Sequence, residues 1–258
     1  MQGEIVFAAG FLLFTGIRAF NPEIYWGEKP MDFSILNILV RTRTLPASDP
    51  WFAGAPLGYY VFGHQMVAFL TMLTGLSTRF TFNLAFGLLG GLLVQGSFTL
   101  LRNWARTLRA GVAGGALVAL LGNLSGLREW LVNHRALDWN YFWATSRVIK
   151  DTINEYPFWS LVFADLHAHV LAMPLFLLFC SAAVHFVRVN SDPPARTVSR
   201  IASGVILGFS AAAQALTNAW DVRCSPDSAC SSSSSRPLPA GSPARTCRAW
   251  GCPQPPPW

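Results

Sequence analysis

Three groups of residues have the types and spacing to do chemistry. The first is the run Asn21-Pro22-Glu23 … Glu28-Lys29-Pro30-Met31-Asp32-Phe33, followed by Asp49-Pro50-Trp51. Glu23, Glu28 and Asp32 lie within ten residues of one another at the mouth of an apolar segment, where burying carboxylates is costly. Glu28 and Asp32 are four apart, so a helical turn starting near Pro30 would bring them together. Crowded carboxylates serve as general bases or hold a divalent metal. In a solvated loop they simply face water, and spacing alone leaves all three readings open.

The second group is Asn154-Glu155-Tyr156-Pro157-Phe158-Trp159, then Asp165-Leu166-His167-Ala168-His169. A D-x-H-x-H run offers three metal ligands, Asp165, His167 and His169. In extended backbone all three point to one face; in a helix Asp165 and His169 share a face and His167 turns away. The pattern also opens soluble metallohydrolase barrels, but here it leads straight into an apolar span. Two interfacial histidines bonded to backbone or headgroups are the plainer alternative. The third group is Trp51-Phe52-Ala53-Gly54 … Gly58-Tyr59-Tyr60-Val61-Phe62-Gly63-His64. Trp51, Tyr59, Tyr60 and His64 would form an interfacial belt or line a sugar or prenyl chain. Arg41 and Arg43 would either clamp a phosphate or snorkel to headgroups.

The elements that must position these groups are apolar helices. Charged residues make up 12% of the 258, against roughly a quarter in soluble proteins, while 52% are hydrophobic. That balance excludes a soluble globular protein and, for most of the chain, disorder. It fits an all-α polytopic membrane protein of about five to six apolar helices with two long polar-aromatic loops, in the cell membrane as a multi-pass chain. The net charge of +6 comes from 17 Arg and two Lys scattered among apolar runs, so the partner it implies is the lipid bilayer and no nucleic acid. Segments 80–101, 109–127, 168–187 and 201–218 read as helices, as does 59–76, while 5–17 is short of a full span. Segments 18–58 and 128–166 read as the polar-aromatic loops. The membrane domain covers 1–221; residues 222–258 hold four of the five Cys, eight of the 17 Pro and the run Ser231–Ser235, and read as a disordered, non-native tail.

For both acidic loops to build one site, an even number of crossings must separate Asp32 from Asp165. Three apolar segments intervene, so one must be re-entrant or interfacial, and 59–76, with Tyr59, Tyr60, Gly63 and His64 in its first turns, is the one expected. The Arg clusters at 102–109 and 188–200 read as cytoplasmic, which sets loop 128–166 outside.

Together the blocks quoted above, with Arg18 and Asn218-Ala219-Trp220-Asp221, resemble the Chlor-Arch YYY integral-membrane family over about 18–221. The third tyrosine of the namesake triplet is Val61 here, and the family's longer members imply that this chain is a fragment diverging after Val222. That family is similar to polytopic glycosyltransferases that use polyprenyl-phosphate-linked sugar donors. The resemblance implies a base among Glu23, Glu28 and Asp32, with Arg41 or Arg43 on the donor phosphate. It also implies Glu155, Trp51, Tyr59, Tyr60 and His64 near substrate, and Asp165, His167 and His169 completing the site or binding a divalent ion. A transporter or a non-catalytic protein of envelope assembly is the alternative; a transporter would carry ionisable groups in mid-span, and these spans are almost clean.

Overall fold

The computed structural model describes residues 1–42, 45–120, 122–193 and 196–223. Among them the chain is helical, in the order α1 (Gln2–Ala19), α2 (Lys29–Arg41), α3 (Phe62–Thr74), α4 (Thr78–Ala105), α5 (Leu108–Leu120), α6 (Leu124–Leu131), α7 (Trp139–Thr145), α8 (Pro157–Phe163), α9 (Ala168–Ser191), α10 (Thr197–Thr217) and α11 (Ala219–Arg223). Three helices, α4, α9 and α10, are long and apolar enough to cross a membrane. The pair α5 and α6, inclined by 72°, counts as a fourth if read as one broken span.

α4 is the axis of the bundle. α1 runs antiparallel along it, from Gly3 beside Gln95 to Arg18 beside Asn83. The two backbones come close because α4 presents glycines there. A β-carbon at Gly90 would collide with the Phe14 ring, and one at Gly91 would press on the Phe7 carbonyl. Small residues allow this approach where lipid gives no hydrophobic drive for helices to associate. On another side α5 returns antiparallel, with Gly111 against Phe98 and Gly114 against Leu101. α9 runs parallel to α4; its Arg188 Nη2 donates to the Asn103 carbonyl at 2.6 Å. α10 comes back along α9 and delivers Thr217 to Gly63 at the start of α3.

The lengths and directions of the helices bear on the parity requirement. α2 and α3 have 13 residues each, roughly 20 Å at 1.5 Å per residue and short of a hydrocarbon core of ~30 Å. Both begin at the same end of the bundle, where Asp32 and His64 meet. The segment 59–76, expected to be re-entrant or interfacial, holds α3; α5 has the same length of 13 residues. α4 leads away from that end and α5–α6 leads back before Asp165 is reached.

Several boundaries differ from the sequence reading. The apolar run 109–127 divides between α5 and α6, with Asn123 capping α6 through a bond from the Gly126 amide at 3.1 Å. Cap chemistry at Asn123 outweighs the run's uniform apolarity. The two polar-aromatic stretches also contain helices. The first contains all of α2, started by Pro30 in its first turn as the spacing predicts. The second contains α7, capped by Asp138 Oδ1 on the Tyr141 amide, and α8, started by Pro157. The tail, apart from 222–223 at the end of α11, and Arg43 lie outside the described residues.

Candidate functional site: a carboxylate–imidazole chain under an aromatic cavity

The site forms where the first turns of α2, α3 and α9 converge. Asp32, in the first turn of α2, is fully buried. The amino end of a helix favours a carboxylate there, but burial without partners would be prohibitive. Two imidazoles flank it. His167 Nδ1 lies 3.0 Å from Oδ2, and His64 Nε2 lies 3.5 Å from Oδ1. His64, in the first turn of α3, is also fully buried, with the Tyr59 ring 5.9 Å away. On the other side of His167, Nε2 lies 3.3 Å from Glu28 Oε2. Glu28 precedes α2, and its side chain is largely exposed. The result is a chain Glu28–His167–Asp32–His64 joining residues far apart in sequence.

The charges shift one another accordingly. Burial pushes the Asp32 carboxyl up, but the His167 and His64 imidazoles outweigh it and hold the group below the usual carboxylate range. Burial alone would lower His167; the Asp32 carboxylate beside it, with Asp165 and Glu28, raises it above an ordinary histidine.

Lys29 fixes the relative position of the two stretches. Its Nζ is 3.0 Å from Asp165 Oδ1, with both groups buried. The Glu28 amide donates to Asp165 Oδ2 at 3.1 Å. The ammonium sits 3.4 Å from the centre of the Trp26 ring and 4.7 Å from that of Phe163, so the cation is walled by aromatic faces. Burial lowers the Lys29 pKa, only partly offset by Asp165. Gly27 has φ +68, and a β-carbon there would touch the Asp165 carboxylate. Glycine is required at that turn on both counts.

A third pair completes the rim. His169 Nε2 lies 3.2 Å from Glu155 Oε2, which also accepts from Ser160 Oγ at 2.8 Å. Burial raises Glu155, but the His169 and Ser160 bonds win and hold it low. Glu28, Glu155, Asp165, His167 and His169 share one cavity of about 590 Å³, whose other walls include Trp143, Trp159 and Arg147. The Arg147 guanidinium stacks 4.1 Å from the Trp143 ring centre. Trp159 and Phe142 stack at 5.3 Å.

The candidates of the sequence reading are thus divided. Glu28, Asp32, His64, Glu155, Asp165, His167 and His169 come together. Glu23 does not; it lines a separate cavity beside Arg18. Trp51 and Tyr59 line a third, of about 390 Å³, where the Trp51 indole N–H bonds to Ser34 Oγ at 2.7 Å. Tyr60 is 37% exposed and does not line that cavity. Arg41 is exposed at the far end of α2, about 14 Å along the axis from Asp32 at 1.5 Å per residue. The D-x-H-x-H triplet does not converge on one point. Helix α9 begins immediately after His167, so Asp165 pairs with Lys29, His167 with Asp32 and Glu28, and His169 with Glu155. Among the described residues no three His, Cys, Asp or Glu side chains form a group that could hold a metal. Lys29, Arg147 and Trp143 escaped the sequence reading as site residues. The signal available for Lys29 was that it is one of only two lysines in the chain.

Fold and site define an all-α membrane protein with several apolar spans and a buried carboxylate–imidazole chain at one end of the bundle. The chain belongs to the uncharacterized membrane protein family DUF2298, whose profile matches residues 1–225. No curated protein and no solved structure matches it.

Proposed function

We propose that the chain is a membrane glycosyltransferase that takes its sugar from a polyprenyl-phosphate donor. The observation that carries this reading is the Glu28–His167–Asp32 chain opening into a cavity that also presents tryptophan faces and one arginine. The resemblance of the sequence blocks to the Chlor-Arch YYY family and to lipid-linked-sugar transferases supports the same assignment. The Trp143 and Trp159 rings suit the apolar face of a sugar. Glu28 is the one acid of the three proposed from sequence that both faces the cavity and touches a partner in the chain.

Glu28 takes the proton of the acceptor hydroxyl as that oxygen bonds to the anomeric carbon. The bond from that carbon to the phosphate oxygen breaks, and its electron pair leaves with the polyprenyl phosphate. Arg147 neutralises the departing phosphate. His167, whose pKa the Asp32 carboxylate raises, orients Glu28. Asp32 and His64 are buried and act by positioning His167.

The test is release of free polyprenyl phosphate from a panel of polyprenyl-phosphate hexoses by the full chain in proteoliposomes. E28Q is expected to lose about a hundredfold or more, the scale of general-base catalysis. Turnover is expected to persist in a chelator, since Arg147 supplies the charge. Accumulation of an unmodified solute in the vesicles, with no donor consumed, would replace this reading with transport.

A further inference from the structure

A second cavity, of about 610 Å³, opens between the C-terminal end of α1 and the N-terminal end of α4. It shares no lining residue with the Glu28–His167 cavity. Its walls are of two kinds. Arg18, Arg79, Asn83 and Glu23 are polar, whereas Phe33, Phe80 and Leu84 are apolar.

The two arginines differ in what they have left to give. Arg18 is 5% exposed, and its guanidinium is committed to α4 and to the loop that follows α1. Its Nε donates to Asn83 Oδ1 at 2.6 Å, Nη1 to the Asn21 carbonyl, and Nη2 to the Glu23 carbonyl at 2.9 Å. Arg79 is exposed, and its guanidinium lies 4.8 Å from the centre of the Phe80 ring with no hydrogen bond or ion pair among the described residues. It stands in the first turn of a 28-residue helix whose preceding residue, Ser77, makes no side-chain cap. An open guanidinium is an anion site. The adjoining aromatic and aliphatic wall requires that the anion be carried on a hydrophobic molecule.

We propose that this cavity binds the phosphate of a membrane lipid. Arg79 holds the phosphate oxygens, Arg18 shapes the rim, and Phe33, Phe80 and Leu84 pack on the first carbons of the lipid chain. The Glu23 carboxylate on the same wall selects against a second anionic group and suits an amine or hydroxyl beside the phosphate. The lipid is either a glycerophospholipid or a free polyprenyl phosphate. Neither source depends on the chemistry of the Glu28 site.

Native mass spectrometry of the full chain released from nanodiscs tests this with three probes: phosphatidylethanolamine, polyprenyl phosphate and diacylglycerol, which lacks phosphate. At least one of the first two is expected to be retained, and diacylglycerol is not. Retention by R79Q is expected to fall about tenfold, the scale of one charge-assisted hydrogen bond. R79K keeps the charge and should recover part of it, which separates a lost phosphate contact from a lost fold. R102Q, on the far end of α4, should bind as the parent does. Whichever phosphate lipid is retained identifies the source. Equal retention by R79Q and the parent, or retention of diacylglycerol, overturns the proposal.

Discussion

At the scale of the residue, the site depends on buried charges that lie against one another. Lys29 is the clearest case, since it is fully enclosed and its charge is met by Asp165 and two ring faces. Removing one member of a buried pair strands the other. K29M is expected to destabilise the protein by ~3–5 kcal/mol, whereas removing both charges in K29M/D165N should recover much of that loss. Unfolding in detergent, followed by tryptophan fluorescence, measures both. The pH behaviour follows from Asp32 and His167. Asp32 titrates low, so its contribution is present above the ordinary carboxylate range and is lost as pH falls through its depressed value. His167 titrates high, so its contribution is complete below an ordinary histidine's pKa and is lost as pH rises through the elevated one. Stability should therefore peak between the two. D32N removes the charge that raises His167 and should move the upper limb to lower pH; an unmoved limb would show that Asp32 does not act on His167. Much of this was legible in the sequence, because carboxylates and histidines are conspicuous in so apolar a chain. Lys29 and Arg147 were not: a lone basic residue beside tryptophans reads the same whether it is solvated or sealed by rings.

At the scale of the element, the long apolar helices announce themselves and the short ones do not. The reading 80–101 became Thr78–Ala105, and 201–218 became Thr197–Thr217, because uniform apolarity marks a span within a few residues. α2, α7 and α8 were hidden in stretches read as loops. They are 13, 7 and 7 residues long and carry polar and aromatic side chains that obscure a helical period. Their starts were the readable part: Pro30, Asp138 and Pro157 are ordinary helix openers. Packing of α1 on α4 depends on the glycines of α4 more than on either helix's apolarity. G91V should force α1 off α4, since the new side chain would meet the Phe7 carbonyl and ring. Loss of ~1–3 kcal/mol is expected from such overpacking, with G16A, where nothing lies within 4 Å, as the neutral control. Comparing the unfolding of the two variants with that of the parent checks this.

At the scale of the whole molecule, the bundle has two chemically distinct ends. The site end gathers Asp32, His64 and Asp165 with Arg18, Lys29, Arg79 and Arg147; the other carries the arginine clusters at 102–109 and 188–200, where Arg188 donates to the Asn103 carbonyl. Concentrated arginine at helix ends orients a membrane protein with that end in the cytoplasm. A cysteine placed at Asp138 is therefore expected to react with a membrane-impermeant maleimide from outside intact cells, and one at Ser191 only after permeabilisation. The reverse pattern would turn the site to the cytoplasm.

The site depends on two polar stretches, some 140 residues apart, closing on each other through Glu28 and His167, which are 3.3 Å apart at their tips. The most direct measurement is a cross-link. With the native cysteines replaced by serine, E28C/H167C is treated in membranes with a short bifunctional thiol reagent, and the digest is read by mass spectrometry. A linked pair of peptides, one carrying position 28 and the other position 167, is the predicted result. Free, singly modified peptides from folded protein would contradict it.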